Sequence, residues 1–254
     1  MAASTLTEVG FYGKLPCRGD FLQRRAPQEF VDVWDAWLQE CIHASREQLQ
    51  DSWLQTYLTG PIWRFAFASG VCGGAAYAGI LVPSVDRVGR YFPLTVIAQL
   101  DASHSPLHVA CASTSWFEAA EALVLDALEA EALDFDTFDE RIALLRDELS
   151  TNGAGESAQL ANTLKSSDFP AQPVRWHVPL EETGSLQGAV NALAYRELSR
   201  VIQPLAVWWT QGSDAIRPCW LTTPGLPEAS AFVSMLSGDW GGADWRSSRM
   251  GGLY

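Results

Sequence analysis

The chain has 254 residues, 48% of them hydrophobic and 19% charged, which is close to globular averages and excludes a disordered or fibrous chain. That length makes one large domain or two modest ones, burying roughly 70–75% of the surface the unfolded chain would expose. The net charge is −13, and residues 101–170 hold 14 Asp/Glu against 3 Lys/Arg, so phosphate repulsion excludes a nucleic-acid ligand for that region.

Val9–Gly13 reads as a short first strand, followed by a Pro/Gly turn from Lys14 to Asp20. Pro27 stands where a first helical residue belongs, with Glu29 in the first turn. Phe30, Trp34, Trp37, Leu38, Cys41, Ile42 and Leu49 then recur at helical spacing, predicting an amphipathic helix from Pro27 to Leu49. A second short helix follows over Ser52–Leu58. Ile62–Ala68, Ala76–Val82 and Leu94–Leu100 are apolar, β-leaning runs of the kind covered on both faces by helices. Phe65 to Val85 is uncharged for 21 residues, long enough to span a bilayer. Gly70, Gly73, Gly74 and Gly79 interrupt it, so strand–turn–strand is the better reading.

The middle third reads as helical. Ser115 with Glu118, and Thr137 with Glu140, have capping-box spacing. Trp116, Ala120, Leu123, Val124, Ala127 and Leu128 form one buried stripe; Phe138, Ile142, Leu145 and Leu149 form another. Beyond a loop at 152–156, Val174–Val178 reads as a strand. Leu186, Val190, Leu193 and Leu198 mark a helix, Leu205–Trp209 and Pro218–Leu221 two strands, and Pro227–Leu236 a last helix before a Gly-rich, irregular tail. This order predicts an α/β fold: a three-layer αβα sandwich with a mixed central sheet and a helical acidic middle region. The expected organisation is a single domain over residues 1–254, with a sub-boundary near 150–170 as the alternative. The acidic helices present either a solvated face or a docking face for a basic partner.

Catalytic templates do not fit. The five cysteines are odd in number, with no CxxC and no His at zinc-finger spacing, so no metal site is expected. Scattered cysteines, together with an opening MAASTLTEVG that lacks a basic start and an apolar run, predict a cytoplasmic protein. GxGxxG, GxxxxGK[ST], GxSxG and HExxH are all missing, so no cofactor and no catalytic residue is expected. His104 and His108 are four apart, but Pro106 between them argues against a shared helical face. Eleven Trp imply a thick aromatic core or a sticky surface, and leave the oligomeric state open.

Two segments stand out, GFYGKLPCRGDF and PSVDRVGRYFPL. The first carries Lys14, Arg18 and Asp20 between Gly13 and Phe21. The second packs Asp86, Arg87 and Arg90 around Gly89. Arg64, in the apolar run IWRFAFA, joins them as a candidate. One reading is an Arg–Asp hydrogen-bond network pinning two turns, since the Arg fork suits carboxylates. Another is a recognition surface for a carboxylate, a phosphate or a partner's acidic loop. An active site is the third.

With WDAWLQ and LTGPIWRFAF…GVCGGAAYAGILVPSVDRVGRYFPLT, these segments resemble the TagF family, also called ImpM, of type VI secretion system-associated proteins. The resemblance is dense over residues 8–100, thins through the acidic helices and returns near PLAVWWT and TPGLPEASAF. It implies a cytoplasmic protein of Gram-negative bacteria with an α/β sandwich fold, acting as a post-translational repressor of the secretion machine. It further implies a link to the Thr-phosphorylation pathway controlling assembly, with a forkhead-associated scaffold protein as partner beside a kinase and a phosphatase. Lys14, Arg18, Asp20, Asp86, Arg87 and Arg90 match the family's signature positions, and no catalytic residue is carried over. Some relatives are fused to the phosphatase; this chain has no room for that domain. The expectation is a non-enzymatic regulator that is not itself a membrane protein. The alternatives are a hydrolase or phosphate-recognising enzyme of that pathway, or a structural subunit of the machine.

Overall fold

Apolar residues alternate between two faces along each central strand, and that alternation organises the molecule. The structure is a computed structural model that describes residues 8–130, 132–149, 186–241 and 245. Its strands are Val9–Gly13 (β1), Leu22–Arg24 (β2), Trp63–Phe67 (β3), Ala76–Val82 (β4), Leu94–Leu100 (β5), Leu205–Thr210 (β6) and Cys219–Pro224 (β7). Among the described residues these form one seven-stranded sheet in the order β2-β1-β5-β4-β3-β6-β7.

The helices are Gln28–Leu49 (α1), Trp53–Leu58 (α2), Pro106–Ala112 (α3), Thr114–Glu129 (α4), Phe135–Leu144 (α5), Leu186–Val201 (α6) and Ala229–Ser237 (α7). Tyr12, Trp63, Phe65, Phe67, Tyr77, Leu81, Ile97 and Trp208 point to the side covered by α1, α2 and α7. Phe11, Ala66, Ala78, Ile80, Val96 and Ala98, their immediate neighbours along the strands, point to α4 and α5. Tyr195 of α6 and Leu107 of α3 cover Leu205 and Val207 on β6. The result is an α/β sandwich with helices on both faces of the sheet.

The sheet is antiparallel at every pairing among the described strands, where a mixed sheet was expected. The connections explain this. Parallel neighbours need a long crossover, whereas a short reversal gives an antiparallel pair. β1 to β2, β3 to β4, β4 to β5 and β6 to β7 are joined by short reversals. The two helical connections, β2 to β3 and β5 to β6, lead to strands that are not neighbours.

Three of the expected helix starts shift. Pro27 is extended (φ −62°, ψ 137°) and stands just before α1, which begins at Gln28. Ser115 and Thr137 lie within their helices. α4 begins at Thr114, directly after α3, and Asp134 caps α5 by accepting from the amides of Asp136 and Thr137. Pro106 starts α3 rather than interrupting it, with the Ser105 side chain accepting from the His108 amide. The predicted loop at 152–156, the strand Val174–Val178 and most of the tail lie outside the described residues.

Trp34, Trp37, Trp53, Trp63, Trp116 and Trp208 lie in the core, whereas Trp220 is exposed. Trp34, Trp63, Trp116 and Trp208 are fully buried. Trp34 lies 5.2 Å from Phe65 and stacks on Trp208 at 6.0 Å, and its indole N–H donates to Thr95 Oγ1 at 2.9 Å. Trp37 and Trp63 donate to the carbonyls of Pro227 and Met235, which ties α1 and β3 to α7. Such rings bury large areas, and satisfying the donor removes the cost of enclosing it. The uncharged span Phe65 to Val85 is the β3–β4 hairpin, paired from Trp63↔Leu81 to Phe67↔Tyr77. Among the described residues no helix is long and apolar enough to cross a membrane.

Candidate functional site

The two signature segments leave the same end of the sheet. The first runs from the end of β1 through residues 14–21 into β2. The second runs from the end of β4 through 83–93 into β5, and β1 pairs with β5. Gly13 makes the close approach possible. Its φ is +136°, and a Cβ there would lie 2.1 Å from the Pro93 carbonyl oxygen.

Asp86 is the hub. Its Oδ2 accepts from Lys14 Nζ at 2.6 Å and from Arg90 Nε at 2.7 Å. Its Oδ1 accepts from the amides of Val88 at 3.0 Å and Arg90 at 2.8 Å. The Asp86 amide donates to the Arg90 carbonyl, and the Gly89 amide donates to the Asp86 carbonyl, closing the turn at 86–90. Gly89, with φ +85°, supplies the left-handed residue that this closure needs. The side chains of Lys14 and Asp86 are 4% and 0% exposed. Burial alone would raise the Asp86 carboxyl. The Lys14 ammonium, the Arg90 amide and guanidinium and the Val88 amide outweigh it and hold the group well below the usual carboxylate range.

Further contacts stitch the two turns together. The Arg87 amide donates to the Arg18 carbonyl at 3.0 Å, and the Arg90 guanidinium donates to the Gly19 carbonyl. Ser84 Oγ donates to the Lys14 carbonyl at 2.7 Å. Tyr57 of α2 donates to the Ser84 carbonyl and accepts from its amide. Lys14 also lies over the Phe21 ring at 4.5 Å, and Phe21 packs edge-on to Phe92 at 4.8 Å.

The sequence candidates therefore divide. Lys14, Asp86 and Arg90 are brought together. Arg18 and Arg87 meet through their backbones, and both residues are exposed, as is Asp20. Arg18 approaches the Phe135 ring of α5 at 5.2 Å. Arg64 lies elsewhere. From β3 it forms a bidentate pair with Glu121 of α4 at 2.6 and 2.8 Å, fastening that helix to the sheet. Tyr57, Ser84 and Phe21 belong to the network without having been singled out. Phe21 was legible as the last residue of GFYGKLPCRGDF, but Tyr57 had no signal, being 27 residues from Ser84.

Chemically, the cluster binds itself. Each Asp86 oxygen already accepts two hydrogen bonds, and the buried Lys14 ammonium is paired. Burial pushes the thiol of Cys72 up to about 12 and raises that of Cys41, so neither is a ready nucleophile. Among the described residues no group of His, Cys, Asp and Glu is placed to hold a metal ion.

Comparison with known proteins places this geometry in context. Residues 10–145 match the family described as "TagF N-terminal domain, Type VI secretion system-associated". A solved crystal structure, that of PA0076 from Pseudomonas aeruginosa PAO1, is 36% identical in sequence with a TM-score of 0.69. The match covers 91% of this chain and 94% of that one. No curated protein matches.

Proposed function

This chain belongs to the TagF family of type VI secretion system-associated proteins, and from that membership we propose that it is a non-enzymatic, cytoplasmic regulator that represses type VI secretion after translation. It does so by binding, with a forkhead-associated scaffold protein of the system as its partner.

Family membership carries the reading as a whole, and the state of Asp86 supports its non-enzymatic part. A carboxylate that served as base or nucleophile would keep a lone pair open toward a cleft. Here both oxygens are occupied from within, and the cluster turns its effort to holding two loops in fixed relation. What those loops offer outward is side-chain surface, as a binding protein requires.

Affinity capture tests it. The full chain, used as bait in lysate of its own host, is expected to retain the forkhead-associated scaffold. A bait that retains other proteins but not the scaffold contradicts the partner assignment.

A further inference from the structure

The paired turns separate their charges into two sets. Lys14 and Asp86 are buried and neutralise each other. Outside them, Arg18, Arg87 and Arg90 face solvent, with Asp20 the carboxylate that remains exposed on these turns. The Arg90 side chain, 58% exposed, is partly engaged by Asp86 and Gly19. Arg87 caps the second turn next to Val88, which is 65% exposed, and Phe21 on the first turn is 48% exposed. On a chain of net charge −13, these two turns carry exposed arginines and two large, exposed apolar side chains.

Helix α5 borders these turns, with exposed Asp134 and Asp136 flanking the Phe135 ring, and part of that helix's charge is already engaged. The nearest acidic helix, α5, commits Asp139 to Arg25 at 2.6 Å, with Arg24 at 3.9 Å. Arg18 meets the ring of Phe135 on that helix rather than a carboxylate.

The backbone decides which anion fits. Phosphate sites are made from free amides at a helix start or in a concave nest. On this turn the amides are spent. Those of Val88 and Arg90 go to the Asp86 carboxylate, that of Gly89 to the Asp86 carbonyl, and that of Arg87 to the Arg18 carbonyl. On this second turn the guanidinium forks are what is left to offer an anion, and a planar fork matches a carboxylate in two parallel hydrogen bonds. Arginines beside exposed aromatic and aliphatic side chains have the make-up of an interface centre.

We infer that Arg18, Phe21, Arg87 and Val88 form the docking surface of this protein, and that its occupant is an acidic segment of a partner protein carrying an apolar residue among its Asp/Glu side chains. The inference rests on the binding function proposed above and supplies its surface. Lys14, Asp86 and Arg90 are the frame that presents it.

The test uses the full chain and a fluorescein-labelled synthetic peptide of Glu residues interrupted by Leu and Phe. Controls are the same peptide with Gln for Glu, and that Gln peptide bearing one phosphothreonine. Fluorescence anisotropy is expected to show salt-sensitive binding of the Glu peptide. Arg18→Glu/Arg87→Glu should weaken it at least about tenfold, the scale of losing close charge pairs at an interface. Arg18→Gln/Arg87→Gln, which adds no new charge, should weaken it in the same direction. No binding by the unmodified chain, equal binding by the Glu double variant, or tighter binding of the phosphothreonine peptide overturns the inference. A parallel arm uses the scaffold itself. Capture by the unmodified chain and loss in the double variant supports the surface, whereas capture by both overturns it while the proposed function stands. If even the unmodified chain fails to capture the scaffold, the proposed partner falls, and the peptide measurement alone decides the surface.

Discussion

Lys14 and Asp86 are 72 residues apart in the chain and meet at 2.6 Å, both almost wholly shielded from water. Their pair joins the end of β1 to the turn after β4. Removing one partner from a buried pair strands the other, at a cost of about 3–5 kcal/mol. Asp86→Ala is expected to reach that range, because it orphans Lys14 and also two amides of its own turn. Lys14→Met should cost less, since Arg90 and the amides still serve Asp86. Urea unfolding of the two variants checks the order.

The same pair predicts a pH dependence. The folded-state pKa of Asp86 lies below its unfolded value. Its contribution to stability is therefore fully present above the unfolded carboxyl value of about 4 and is lost as pH falls through the depressed folded value. The stability difference between the unmodified chain and Asp86→Asn, measured by urea unfolding, should be largest near pH 6 and shrink by pH 3. A difference that grows on acidification contradicts the assignment.

Gly79 sits mid-strand in β4, opposite Phe65 and Ile97. A Cβ there would lie 2.3 Å from both Phe65 Cζ and the Val96 carbonyl oxygen. The carbonyl cannot move without breaking the ladder. Gly79→Ala is expected to destabilise by about 1–3 kcal/mol, as overpacking does, and to lower Tm in a thermal melt.

The similarity to the TagF N-terminal domain ends at residue 145, yet β6 pairs with β3 and brings Trp208 against Trp34, Phe65 and Phe67. We expect the chain to unfold as one cooperative unit. A fragment ending at residue 149 would expose the β3 edge and lose an aromatic keystone. It should elute as aggregate on gel filtration and show no cooperative melt. A monomeric fragment with a sharp transition would argue for an independent first domain.

How much of this was legible depended on how local the cause was. The α1 stripe from Phe30 to Ile42 is readable because one-sided burial imposes a helical period, and the runs at Val9, Ala76 and Leu94 because strands covered on both faces are continuously apolar. β2 was not; it has three residues and is partly polar, so it leaves no period. The capping boxes at Ser115 and Thr137 satisfy the spacing rule, but α4 already begins at Thr114 and the Asp134 side chain caps α5 three residues ahead of Thr137. Sheet direction is not legible locally, because it is set by which strands pair, a relation between distant segments. The candidate site split for the same reason. Its residue types announced an Arg–Asp network, but only tertiary pairing decides that Arg64 belongs to Glu121 while Lys14 and Arg90 belong to Asp86.

The most direct test of the central claim is type VI secretion by the host after clean deletion of the gene, measured as release of secreted protein into the medium. Repression by binding predicts that release rises on deletion and returns to its original level when the unmodified chain is supplied in trans. Release that is unchanged or falls would contradict it.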